Sequence, residues 1–252
     1  MSSIVLPSIK ERLWHEMRFK LAKFYPDTLN NALLMCPACG RFLPKECFSL
    51  EHIIPQQTVK KDPEIVRGNP STTTNIRSGN ILLCTKPLKI KGDTIHNNGC
   101  NSWKGRYYDR LISEVLNGKV FGGGKVSDGH IISVIVVAYL AAVSKFGYSV
   151  SLARSGVIMR RQFFEPYKFI RDMPVMSQML LGGDHKPTSP DLPMWSNPFS
   201  FSYQGDGECV VTVRGVGVVI PMSHDPEKEF SMHLKIIPAK YKLRPSFETI
   251  FD

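Results

Sequence analysis

Long apolar runs are missing from this chain. The longest extends from Ile131 to Val143, interrupted only by Ser133. That is the length of a buried helix and falls short of the ~20 residues needed to span a bilayer. The first residues do not place a basic start ahead of an apolar core, so a secretory signal is not expected. Acidic residues are outnumbered, 22 Asp+Glu against 32 Lys+Arg, which gives a net charge of +10. Cysteine is sparse, with six in 252 residues. Four of the six sit in motif context, which argues for metal ligation in a reducing, cytoplasmic compartment rather than for disulfides. No internal repeat is visible. The glycine-rich FGGGK at 121–125 lacks the strand-before, helix-after context and the spacing of a phosphate-binding loop, and reads as a hinge.

What is present is an ordinary globular composition, 42% hydrophobic, in a chain long enough for one large or two modest domains. The charge is uneven. Residues 1–127 carry 19 Lys+Arg against 10 Asp+Glu, whereas residues 128–252 carry 13 against 12. Positive potential gathered in one half suits a polyanion such as nucleic acid. No membrane partner is expected.

The coarse pattern is α+β. Ile9, Leu13, Met17, Leu21 and Phe24 recur at helical spacing over 8–24, and Pro26 and Asp27 open a short second helix through Leu34. Residues 49–54 and 81–84 read as short strands. Residues 56–78, with STTTN at 71–75, and the basic stretch 85–99 read as loops. Residues 101–117 form a helix with Trp103, Tyr107, Leu111 and Val115 on one stripe and Gly118 as its stop. The boundary between domains 1–120 and 126–252 falls at the glycine run. Beyond it, a buried helix covers about 129–146, short alternating runs fill 149–164, and 200–220 with 229–238 predict a small antiparallel sheet.

Chemistry concentrates between Cys36 and Lys104. CPAC at 36–39 followed by Gly40 has the form of a zinc knuckle, because two thiolates three residues apart can share one ion. A tetrahedral site needs two more ligands. Cys84 and Cys100 are the first choice, with 15 residues between them, and His96 and Cys47 are the rivals. Such a zinc would tie two loops together. Farther along, Glu51 and His52 close a strand and point to opposite sides of it. Imidazole titrates near neutrality and can take a proton from water. Glu51 and the carbonyl oxygen of Asn101, at the start of the 101–117 helix, offer the oxygen ligands that suit magnesium or manganese.

In this order, CPAC, EHIIP, NILLC and CNSWK resemble the motifs of the HNH endonuclease family over residues 36–105. The resemblance implies a ββα-metal fold with structural zinc, occupying the core 36–118 behind a helical arm 1–35. It implies His52 as general base, Asn80 (or Asn75) as the residue orienting it, and Glu51 and Asn101 around a catalytic divalent ion. Lys104 would lie near the phosphate backbone, and Cys36, Cys39, Cys84 and Cys100 would bind zinc. The expected activity is hydrolysis of phosphodiester bonds in DNA, most readily double-stranded, with Lys60, Lys61, Arg77, Lys86, Lys89, Lys91 and Arg106 on the backbone. Restriction or phage defence is the implied setting, with residues 126–252 for targeting or sensing and a homodimer if the target has half-site symmetry. The alternative is a zinc module that binds nucleic acid without cutting it.

Overall fold

The computed structural model describes residues 7–61, 80–90, 93–96, 98–117, 127–165, 179–181, 198–204, 208–213 and 216–221. The first helix, α1 (Ile9–Ala22), opens on a capping box. Ser8 Oγ accepts from the Glu11 amide at 3.2 Å, and Glu11 Oε2 accepts from the Ser8 amide at 3.1 Å. Its inward stripe is Trp14, Met17 and Leu21. Phe24, expected on that stripe, lies beyond the helix end and is exposed. The short helix expected through Leu34 is a single 3-10 turn, Pro26–Leu29. Arg18 donates to the Thr28 and Leu29 carbonyls and fixes that turn against α1, so the chain is free to become a strand by Leu33.

Strands β1 (Leu33–Met35) and β2 (Phe42–Pro44) pair antiparallel around the knuckle. Strand β3 (Phe48–His52) pairs antiparallel with β4 (Asn80–Cys84). Between them lies α2 (Gln56–Lys60), a helix inside what the sequence presents as loop. The stretch after β4 is a hairpin, β5 (Leu88–Ile90) with β6 (Asp93–His96). The helix expected over 101–117 breaks at Tyr108 into α3 (Gly99–Tyr107) and α4 (Asp109–Leu116).

The long apolar helix α5 (Asp128–Phe146) begins at a second capping box, Ser127 with His130. By length and composition it could cross a membrane, but 67% of its apolar window is buried inside the protein. The runs at 149–164 expected to alternate are helical: α6 (Tyr148–Leu152), α7 (Arg154–Met159) and a 3-10 turn, Arg160–Phe163. Gly147, at φ 81°, separates α5 from α6. An antiparallel sheet follows in the order β7 (Met179–Leu181), β10 (Val216–Pro221), β9 (Glu208–Val213), β8 (Ser200–Gln204). This agrees with the sheet expected over 200–220; residues 229–238 lie outside the described residues. The protein is therefore α+β.

Helix α5 joins the two halves. Tyr139 donates to the Pro37 carbonyl at 2.8 Å and Tyr148 to the Met35 carbonyl at 2.6 Å. Lys20 reaches the Ser144 carbonyl at 2.9 Å, and Tyr108 donates to the Gln162 carbonyl. The core is thus continuous across the 121–125 stretch, from Leu21 and Leu34 through Leu82 and Val136 to Val211 and Val218.

Candidate metal and catalytic sites

The knuckle is built by its turn. The Gly40 amide donates to the Cys36 carbonyl at 2.8 Å, the Cys36 amide donates to the Arg41 carbonyl at 2.9 Å, and Gly40 takes φ 77°. This geometry turns Cys36 and Cys39 toward one point. The wide gap between Cys84 and Cys100 closes because the β5–β6 hairpin carries the chain out and back. Gly99, at φ 77°, then seats α3 against the end of β4. A Cβ there would lie 2.4 Å from the Thr85 carbonyl carbon and 2.5 Å from the Cys84 oxygen.

The sulfurs of Cys36, Cys39 and Cys100 lie within 4.8 Å of one another and all three residues are fully buried. A tetrahedral zinc with Zn–S near ~2.3 Å requires sulfur spacings of about 3.8 Å, so a small contraction closes such a site. The cluster could bind a metal such as zinc. Cys84 adjoins it: its amide approaches Cys36 Sγ at 3.4 Å, and its own thiol points to the Lys86 carbonyl at 3.5 Å. Cys47, one of the rival ligands, is buried at the start of β3, and its carbonyl accepts from the Thr85 amide. The side chain of His96 lies outside the described residues.

The thiols perturb one another. Burial pushes Cys36 up to about 12. At Cys39 burial acts in the same direction, but hydrogen bonds from Cys100, Cys36 and Cys84 and the charge of Arg41 prevail and hold it well below its ordinary value. Hydrogen bonds to Cys36 and Cys39, with burial, push Cys100 well up, and Cys84 rises through its hydrogen bond to Cys39 and burial. Cys39 is therefore the thiol most ready to ionise. Arg41 donates to Cys39 Sγ at 3.4 Å and to Cys84 Sγ at 3.3 Å.

The β3–β4 register governs the second site. His52 lies directly across from Asn80, and Glu51 across from Ile81. Opposed residues of an antiparallel pair share a face, so His52 and Asn80 lie on one side of the ribbon and Ser49 and Glu51 on the other. The Asn80 side-chain oxygen is buried without a hydrogen-bond partner among the described residues. Nδ1 of His52 is buried as well, and its Nε2 lies 3.1 Å from the Gln56 side-chain nitrogen at the solvent side. With the amide in that orientation Nε2 is the acceptor and the ring proton sits on Nδ1.

Helix α3 covers the other face. The Asn101 amide donates to Ser49 Oγ at 2.8 Å and to the Leu50 carbonyl at 3.1 Å. One turn later, Lys104 Nζ contacts Glu51 Oε1 at 2.7 Å, Asp109 Oδ1 at 2.7 Å and the His52 carbonyl at 3.2 Å. The Lys104 side chain is 0% exposed. That corrects the position implied for Lys104: it is an internal cation beneath Glu51 and offers no surface to a phosphate. Burial would lower its pKa, but the charges of Glu51 and Asp109 prevail and raise it. At Glu51, burial outweighs Lys104 and raises the carboxyl. Glu51 Oε1 is thus taken by Lys104, and the Asn101 amide nitrogen by Ser49 and Leu50.

The basic residues that are described sit on different elements. Lys60 and Lys61 are exposed at the end of α2, on the His52 side. Lys86 and Lys89 are exposed beyond Cys84. Arg106 is exposed on α3. Arg77, Lys91 and Asn75 lie outside the described residues. Sequence reasoning missed Arg41, Gln56 and Asp109. Only the arginine immediately after the knuckle carried a signal, a cation two residues from a thiolate.

No family model, curated protein or solved structure matches this chain.

Proposed function

We propose that this protein is a metal-dependent endonuclease of the HNH kind, hydrolysing DNA, with zinc held by Cys36, Cys39, Cys84 and Cys100 as its structural staple. One observation carries the reading: the β3–β4 register sets Asn80 opposite His52, while α3 covers the other face of the same strand with Asn101 on Ser49 and Lys104 on Glu51. The motif order CPAC, EHIIP, NILLC and CNSWK supports it.

In this reading His52 Nε2 takes a proton from water as the water oxygen attacks phosphorus, and the bond to the leaving sugar oxygen breaks. Asn80, across the ribbon from His52, would hold the ring by turning its Oδ1 toward Nδ1–H, a bond not made in this structure. Gln56 occupies Nε2 until water replaces it. A hydrated divalent ion held by Glu51 and Asn101 would, when bound, stabilise charge on the phosphate and leaving oxygen; these residues lie on the face of β3 opposite His52, so the phosphate would have to reach round the end of the ribbon. Lys60 and Lys61, exposed at the end of α2, would contact the backbone.

The test incubates purified protein with supercoiled and linear plasmid across magnesium, manganese and other divalent ions. Cleavage by the wild type and a loss of at least ~100-fold in His52→Ala are expected. Full cutting by His52→Ala would remove His52 from the role. A second reading, a zinc module that binds nucleic acid without cutting, draws on the Lys104–Glu51 pair, since that carboxylate already has a counter-ion. It predicts salt-sensitive binding and no cleavage with any ion.

A further inference from the structure

The knuckle has a second structural problem besides bringing sulfurs together. Zinc with four thiolates carries a net charge of −2, and Cys36, Cys39, Cys84 and Cys100 are all buried. Buried charge is costly unless it is paired and hydrogen-bonded. Arg41 answers that need from the residue after the turn. Its Nε lies 3.4 Å from Cys39 Sγ, and its terminal nitrogen lies 3.3 Å from Cys84 Sγ. One planar fork therefore touches a ligand from the knuckle and a ligand from β4.

We infer that Arg41 is a positioning residue of the metal centre: its guanidinium compensates the thiolate charge and, by hydrogen-bonding Cys39 and Cys84 together, recruits Cys84 as the fourth ligand. The inference rests on the zinc reading above. The remaining contacts of Arg41 fit the same role. It donates to the Pro87 carbonyl at 2.6 Å and the Lys86 carbonyl at 2.9 Å, which holds the chain leaving Cys84 against the knuckle. The Lys86 amide points to Cys84 Sγ at 3.2 Å, so that sulfur receives a backbone donor as well.

Arg41 could instead be only a staple for the 85–87 turn, so the test needs a readout that a staple would not change. Cobalt(II) replaces zinc in the full-length protein, and the thiolate-to-cobalt charge-transfer band is recorded with zinc affinity from chelator competition. Hydrogen bonds to sulfur lower the energy of its lone pairs, so removing them moves the band to longer wavelength. Arg41→Gln is expected to shift the band and weaken zinc roughly 10–100-fold. Arg41→Lys keeps the charge but cannot reach both sulfurs, so it should shift the band while recovering part of the affinity. An unchanged band and unchanged affinity in Arg41→Gln would overturn the inference. Should that variant not fold, the same result in Arg41→Lys would do so. Failure of the wild type to take up cobalt or zinc would instead sink the underlying zinc reading.

Discussion

Lys104 and Glu51 form a buried ion pair, Nζ to Oε1 2.7 Å, with Asp109 closing the other side at 2.7 Å. The pair is made where α3 crosses β3, and it locks helix to ribbon at the residue beside His52. Removing one partner leaves an uncompensated buried charge. Lys104→Met is expected to lower unfolding free energy by about 3–5 kcal/mol in a urea titration. The double variant Lys104→Met with Glu51→Gln should recover a substantial part. Equal losses in the single and double variants would show that the charges are not coupled.

Gly99 admits no side chain. A methyl group there meets backbone at 2.4–2.6 Å, and the residue sits at φ 77°. Gly99→Ala should destabilise by at least roughly 1–3 kcal/mol and release metal more readily, because it pushes Cys100 away from Cys84. Gly105→Ala is the control. Its nearest contact would be 3.8 Å, and zinc content should be unchanged. Equal metal retention in the two variants would contradict the seating role of Gly99.

Zinc binding should stabilise the fold by mass action. At a hundredfold excess over its dissociation constant the gain is ~2.7 kcal/mol. Thermal unfolding should therefore shift upward with added zinc and downward with chelator. Cys36→Ser and Cys100→Ser should lose that response, as these sulfurs belong to the tight cluster. A melting temperature in the wild type that ignores both zinc and chelator would count against a structural metal.

Tyr139 and Tyr148 bury their hydroxyls against the Pro37 and Met35 carbonyls. Burial, the largest cause, raises both phenols above their ordinary value of 10.0. A folded-state value above the unfolded one means stability fully present below pH 10 and lost as pH rises past it. Phenylalanine at both positions should make the decline of stability above pH 10 less steep, measured by chemical unfolding at several alkaline pH values. Parallel curves for variant and wild type would show that the phenols do not contribute to the alkaline loss.

Much of the local structure was legible in the residues. Ser8 with Glu11 announces the start of α1, and the 131–143 run announces α5. CPACG announces the knuckle, since a tight turn with a left-handed glycine has few other uses for flanking thiols. The misreadings have physical causes. The 149–164 runs look alternating because the chain makes two short helices and a 3-10 turn, each too brief to show a 3.6-residue period. The 101–117 stripe hides a break at Tyr108, and the side actually buried runs through Cys100, Lys104, Tyr108 and Ile112, leaving Tyr107 of the expected stripe exposed. Lys104 looked like a surface cation because nothing in CNSWK shows that Glu51 and Asp109 come to flank it.

Residue types and short spacings by themselves determined the turn at the knuckle, the helix starts, and the presence of a carboxylate–imidazole pair at a strand end. These depend on backbone sterics and on hydrogen bonds a few residues long. Only the tertiary structure decided that Cys100 returns to the knuckle, that Asn80 stands across from His52, that Lys104 is an interior charge, and that α5 shares one core with α1 and β4. Each of these joins residues far apart in the chain. Such contacts form when apolar faces are buried together, and no local pattern fixes which distant faces will meet.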